Sequence, residues 1–167
     1  MAPIIFLNGV TSAGKTSIVE ALRKAGAQFY YLSDDLFEDH ILDVEYDDPK
    51  YWEASAEAIF LMHKTARLFA DNGKTVVIDS MLLELPAFAP HYSRVLEIYK
   101  GYDLKMVEVF CPLELCRQRN LLRPDRHESQ SAEQAAVMAQ NVHYDLRLDT
   151  SALSPDQCAA LIMKQLL

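Results

Sequence analysis

An apolar run, Pro3 to Leu7, empties into Gly9-x-x-x-x-Gly14-Lys15-Thr16, and a helical pattern begins at once. The run reads as a strand buried on both faces, and Ile18, Val19, Ala21, Leu22 and Ala25 mark one face of the following helix. Strand, glycine loop and helix, in that order, is the setting in which the Walker A pattern has a mechanism. Gly9 and Gly14 permit backbone angles and close approaches that a Cβ would block. The stretch Gly9, Val10, Thr11, Ser12, Ala13, Gly14, Lys15, Thr16 and Ser17 is then expected to wrap a phosphate at the positive end of the helix. Lys15 reaches the outer phosphates, and the Thr16 hydroxyl ligates Mg²⁺. Nucleotide binding is the first functional expectation.

The 167 residues suffice for one domain with a proper core and fall short of two of ordinary size. With 16 basic and 24 acidic residues the net charge is −8, which argues against nucleic acid and anionic membrane as partners. Cys111, Cys116 and Cys158 are an odd count without a C-x-x-C pair, and read as buried or free thiols of a reducing compartment. No charged region precedes the first apolar run, and no stretch approaches the length of a membrane span. A cytoplasmic location is the expectation.

Along the chain, strands alternate with helices. Gln28 to Ser33 reads as a second strand, delivering Asp34 and Asp35 to its carboxyl end. A long helix is expected from about Tyr51 to Ala70, with Ile59, Met62, Ala66 and Phe69 inward. Thr75 to Ile78 is a β-branched third strand ending at Asp79. A helix from about Pro90 to Tyr99 and a fourth strand, Leu104 to Phe110, follow. Pro112 fits the first position of a helix running through Leu122. Ser131-x-x-Gln134 looks like a capping box opening a short helix. Leu146 to Leu148 is the fifth strand, and Ser154-Pro155-x-Gln157 caps a last helix with Ala160, Leu161 and Leu166 on its apolar face. This alternation predicts a three-layer α/β domain over 1–167, a parallel sheet wrapped by helices on both faces.

Phosphoryl transfer needs a phosphate cradle, Mg²⁺, cations for developing charge and a carboxylate to take the acceptor's proton. Asp79, closing a β-branched run, reads as the acid that supports Mg²⁺ or orients substrate. Of Asp34 and Asp35, one is expected to cap the next helix and the other to serve as general base, with Asp34 favoured as the base. Arg117, Arg119, Arg123 and Arg126 form the chain's concentrated basic cluster, read as a lid over the nucleotide at about 117–130. Residues 34–48 hold eight of the 24 acids and no Lys or Arg, with Tyr46, Tyr51 and Trp52 within or beside them. This flap, about 36–55, reads either as a solvated surface or as an acceptor pocket with aromatic walls and an acidic rim. The five histidines show no metal-ligand spacing.

These residues resemble the chloramphenicol phosphotransferase family of P-loop kinases. The likeness rests on Ile5-Phe6-Leu7-Asn8-Gly9 leading into Ser12-Ala13-Gly14-Lys15-Thr16, on Ser33-Asp34-Asp35-Leu36, and on Val77-Ile78-Asp79 followed by Leu82-Leu83. It continues in Arg119-x-x-x-Arg123-Pro124-Asp125-Arg126 and Tyr144-Asp145-Leu146-x-Leu148-Asp149-Thr150. The resemblance implies a P-loop kinase fold with five parallel strands in the order 2-3-1-4-5. It also implies ATP–Mg²⁺ as donor and a primary hydroxyl of a small molecule as acceptor. It assigns the base to Asp34 and the lid arginines to Arg123 and Arg126, and it sets the turn at Asp149-Thr150-Ser151 near adenine. The compact acidic stretch departs from the family's longer, more apolar one, which argues against chloramphenicol itself as acceptor. A nucleoside or nucleotide kinase and a non-catalytic ATP-binding switch are the rival readings.

Overall fold

The computed structural model describes residues 2–167. Its strands are β1 (Ile4–Asn8), β2 (Tyr30–Ser33), β3 (Val76–Ser80), β4 (Leu104–Phe110) and β5 (Leu146–Asp149). They form one parallel sheet in the order β2-β3-β1-β4-β5. The helices are α1 (Lys15–Lys24), α2 (Asp34–His40), α3 (Tyr51–Asp71), α4 (His91–Ile98), α5 (Leu113–Leu121), α6 (Gln130–Ala136) and α7 (Pro155–Gln165). This is the expected P-loop kinase sheet, with β1 at its centre.

Strand β1 is buried along its whole length because helices cover both sheet faces, which is why it reads as an unbroken apolar run. Successive side chains alternate between the faces. Ile4 and Phe6 join Met62 and Ala66 of α3 and Val95 of α4 in one core. Ile5 and Leu7 join Ile18 and Leu22 of α1, Leu148 of β5 and Ile162 of α7 in the other. Gly9, just past β1, is dictated by packing: a Cβ there would meet the Val109 carbonyl of β4 at 2.4 Å. The three cysteines are buried and free, and no helix among the described residues is long and apolar enough to cross a membrane.

Several local expectations are corrected. Strand β2 begins at Tyr30 rather than Gln28, and Asp79 lies inside β3, in register with Leu7 and Ser33. Ser33, not an aspartate, caps α2, its hydroxyl accepting from the Leu36 N–H at 3.1 Å. Both Asp34 and Asp35 are thereby left for other work in the first turn, where a carboxylate suits the helix dipole. Pro112 precedes α5 instead of opening it. The Ser131–Gln134 capping box does not form, because α6 starts at Gln130 and Ser131 is buried inside it. The buried face of α7 is Cys158, Ala159 and Ile162, with Ala160 turned outward. The Ser154–Gln157 box at the start of α7 forms as read.

One long-range pairing was not expected. After β3 the chain runs antiparallel to the segment leaving α6: the Glu84 N–H donates to Val137 O at 2.7 Å, and the Ala139 N–H to Leu82 O at 2.7 Å. It joins the chain leaving β3 to the chain leaving α6.

Candidate active site

The carboxyl ends of β1, β2 and β3 open into one cleft of about 860 Å³. Ligands in parallel α/β sheets bind at this edge. The glycine loop crosses its floor, with Ser12 at φ 59° and Gly14 at φ 106° both left-handed, and it delivers the chain into α1. Thr11, Ser12 and Gly14 to Ser17 line the cleft. Gly9, Val10 and Ala13 do not, and their side-chain positions pack against the core beneath it.

Lys15 is only 8% exposed. Its Nζ donates to Gly9 O at 2.6 Å and Val10 O at 3.1 Å, and stands 3.6 Å from Asp79 Oδ1. The other oxygen of Asp79 accepts from Thr16 Oγ1 at 3.0 Å and from the Tyr31 hydroxyl at 3.3 Å. Burial and the Asp79 charge push the Tyr31 phenol up to about 12, so it stays a donor. Thr16 and Asp79 present adjacent hard oxygens. That donor set fits Mg²⁺, which takes one or two protein oxygens and leaves the remaining positions to phosphates and water.

A second layer holds the loop from outside. Arg119 of α5 donates to Ser12 O at 3.1 Å, Thr150 Oγ1 at 3.2 Å and Thr150 O at 3.1 Å, while the Thr150 hydroxyl donates to Ala13 O at 2.6 Å. From α6, Gln134 Oε1 accepts the Thr11 N–H at 2.7 Å and the Ser131 hydroxyl donates to Thr11 O at 3.0 Å. The Ser131 oxygen in turn accepts from buried Asn120 of α5 at 2.9 Å. The residues read as a capping box are thus the clamp between α6 and the loop. Their spacing carries no hint of this, since Thr11, the loop partner of both, lies more than a hundred residues away.

Across the cleft, Asp34 Oδ2 accepts the Met81 N–H at 3.0 Å. Oδ1 is closed off from solvent, and the Ser80 hydroxyl lies within reach of the carboxyl group. Burial first, and the nearby Glu38 charge second, hold the Asp34 carboxyl well above the usual carboxylate range. Asp35 lies 3.8 Å from Arg126, an exposed acid facing a largely covered guanidinium. Glu38 accepts from the Ser55 hydroxyl, and burial raises its pKa as well. Asp39, Tyr46, Tyr51 and Trp52 complete this end, the three rings in mutual contact with centroids 4.9 to 6.0 Å apart. Ile59, Leu83, Leu85 and Phe88 form an apolar wall that was not anticipated.

The acidic run therefore divides. Asp34, Asp35, Glu38 and Asp39 on α2 line the cleft, whereas Asp43, Glu45, Asp47 and Asp48 are exposed and outside it. The basic cluster divides too. Arg119, Arg123 and Arg126 reach the cleft, with Arg123 paired to Asp125 at 3.1 Å on the lip. Arg117 instead binds Glu114 and Glu128 on the outer surface, so the lid expectation is corrected there. No cluster of His, Cys, Asp and Glu suited to a metal ion occurs among the described residues.

Comparison with known proteins agrees with this geometry. The model of the family described as chloramphenicol phosphotransferase-like protein matches residues 2–167. A Mycobacterium tuberculosis protein provisionally named an O-phosphotransferase is 29% identical over 173 residues, covering 89% of this chain and 75% of that protein. Among solved structures, the Mycobacterium tuberculosis APS kinase in complex with AMPPNP and APS superposes with a TM-score of 0.74 at 21% identity, covering 99% of this chain and 97% of that one. Shikimate kinase from Acinetobacter baumannii in complex with shikimate gives 0.61 at 16% identity, covering 98% and 92%. These two likenesses are of fold. With the family model spanning nearly every residue, the chain belongs to the chloramphenicol phosphotransferase-like family of P-loop phosphotransferases.

Proposed function

We propose that this protein is a small-molecule O-kinase that transfers the γ-phosphoryl group of Mg–ATP to an alcohol. The observation that carries the reading is the Asp34 carboxyl group, which lines the same cleft as Lys15, Thr16 and Asp79. A carboxyl group at this position can accept an alcohol's hydroxyl, and a pKa held above the ordinary carboxylate range suits a general base.

In this reading the loop N–H groups and Lys15 hold the phosphates, and Thr16 and Asp79 hold Mg²⁺, which neutralises phosphate charge. Asp34 orients the acceptor hydroxyl and takes its proton as the oxygen–phosphorus bond forms. The bond from the γ-phosphorus to the bridging oxygen breaks, and ADP leaves with that electron pair. Arg126 and Arg123 on the lid segment stabilise charge on the transferring group. Arg119 and Thr150 hold the loop in shape beside the nucleotide. A nucleotide acceptor fits poorly, since its phosphate would face the four carboxylates of α2.

Incubation with γ-labelled ATP and a metabolite extract tests this. A labelled phosphomonoester is expected with wild type and none with Lys15→Ala. Tight ATP binding without transfer to any acceptor would instead identify a nucleotide-sensing module.

A further inference from the structure

The acceptor end of the cleft has a chemistry of its own. Asp34 and Glu38 lie four residues apart on α2, hence on one stripe, and Asp35 and Asp39 form the adjacent stripe. Arg126 faces Asp35, so one of the four carboxylates has a cationic partner. Glu38 has only the Ser55 hydroxyl, and Asp34 only neutral donors, the Met81 N–H and the Ser80 hydroxyl. The contacting rings of Tyr46, Tyr51 and Trp52 line the same cleft. Four carboxylates lining the cleft beside aromatic rings are poorly suited to an anionic guest. Both features attract a cation, the carboxylates by Coulomb's law and the rings through their quadrupoles.

We propose that the acceptor is a cationic alcohol: its hydroxyl meets the Asp34 carboxyl group while a protonated amine rests against Glu38 and Asp39 beside Trp52 and Tyr46. The inference rests on the kinase reading above and specifies its substrate class. The two carboxylate stations are one helical turn apart, which sets amine and reacting hydroxyl about 6 Å from each other. It also assigns Glu38 and Asp39 a specificity role distinct from that of Asp34.

Trp52 is the chain's single tryptophan, so its fluorescence reports on this end of the cleft directly. The probes are matched alcohols differing only by ammonium for methyl: 4-aminobutan-1-ol against pentan-1-ol, and 4-aminocyclohexylmethanol against 4-methylcyclohexylmethanol. Titrations with Mg–AMPPNP present are expected to show at least tenfold tighter binding of the amine in a pair. The double variant Glu38→Gln/Asp39→Asn should erase that preference while keeping nucleotide affinity, and the surface variant Asp43→Asn/Glu45→Gln should leave the preference intact. Equal affinity within each pair, preference for the methyl compound, binding of neither, or a preference that survives the double variant would overturn the proposal. Mg–AMPPNP affinity, measured alone by calorimetry, separates the two readings. Its absence would fell the kinase assignment, whereas its presence without amine preference would fell the cationic acceptor only.

Discussion

At Asp34 a single side chain carries both a cost to the fold and the chemistry of the site. Its pKa is raised in the folded protein, so the sign of its linkage is that of a group that prefers to stay protonated on folding. Its contribution is favourable below the ordinary carboxylate range and is lost as pH rises through the folded value. Asp34→Asn should therefore be more stable than wild type at pH 7 to 8, and that gain should vanish as pH falls to about 4. Urea unfolding of both proteins across this range checks it. At this scale the sequence was informative about placement: Lys15, Thr16 and Asp79, singled out from the loop pattern and a strand end, lie together in the structure. Met81, whose N–H holds Asp34, was not readable, because it lies 47 residues away and acts through its backbone.

Elements, taken as units, show where reading by pattern fails. Ser131 and Gln134 have capping-box spacing, yet α6 turns both inward onto Thr11. A local rule lost to a tertiary partner that the local pattern cannot reveal. The acidic run likewise looked uniform in sequence, and only the end of α2 at His40 separates the acids in the cleft from those in solvent. The same clamp yields a prediction about the lid. Gln134→Ala removes the acceptor for the Thr11 N–H and loosens α6 from the loop, at a cost of about 1–3 kcal/mol if that donor stays buried. ATP KM should rise several-fold while acceptor KM changes little, a split measurable in steady-state assays. Equal increases in both would assign Gln134 to general stability instead.

Over the whole molecule, the alternation of strands and helices conveyed the parallel sheet, and the family resemblance conveyed its strand order. Neither conveyed the pairing of residues 82–84 with 137–139 or the apolar wall it supports, because those contacts join segments with no shared periodicity. The core also holds an acid-sensitive pair. Burial lowers His63 to about 3 and His91 to about 4 from an ordinary 6.5, so both fold as neutral rings. Their stabilisation is present above pH 6.5 and is lost as pH falls towards the folded values. His63→Phe should cost about 1–3 kcal/mol at pH 7, through the orphaned Tyr99 hydroxyl. Between pH 6.5 and 4 its stability should fall by less than that of wild type. Denaturant titrations at the two pH values check both signs. Catalysis as proposed requires the glycine loop and Asp34 to serve one reaction across one cleft. Once an acceptor is in hand, the transfer rate and ATP affinity of Asp34→Asn test that dependence most directly. The expected result is a rate at least about 100-fold below wild type with ATP affinity unchanged; turnover within tenfold of wild type would contradict it.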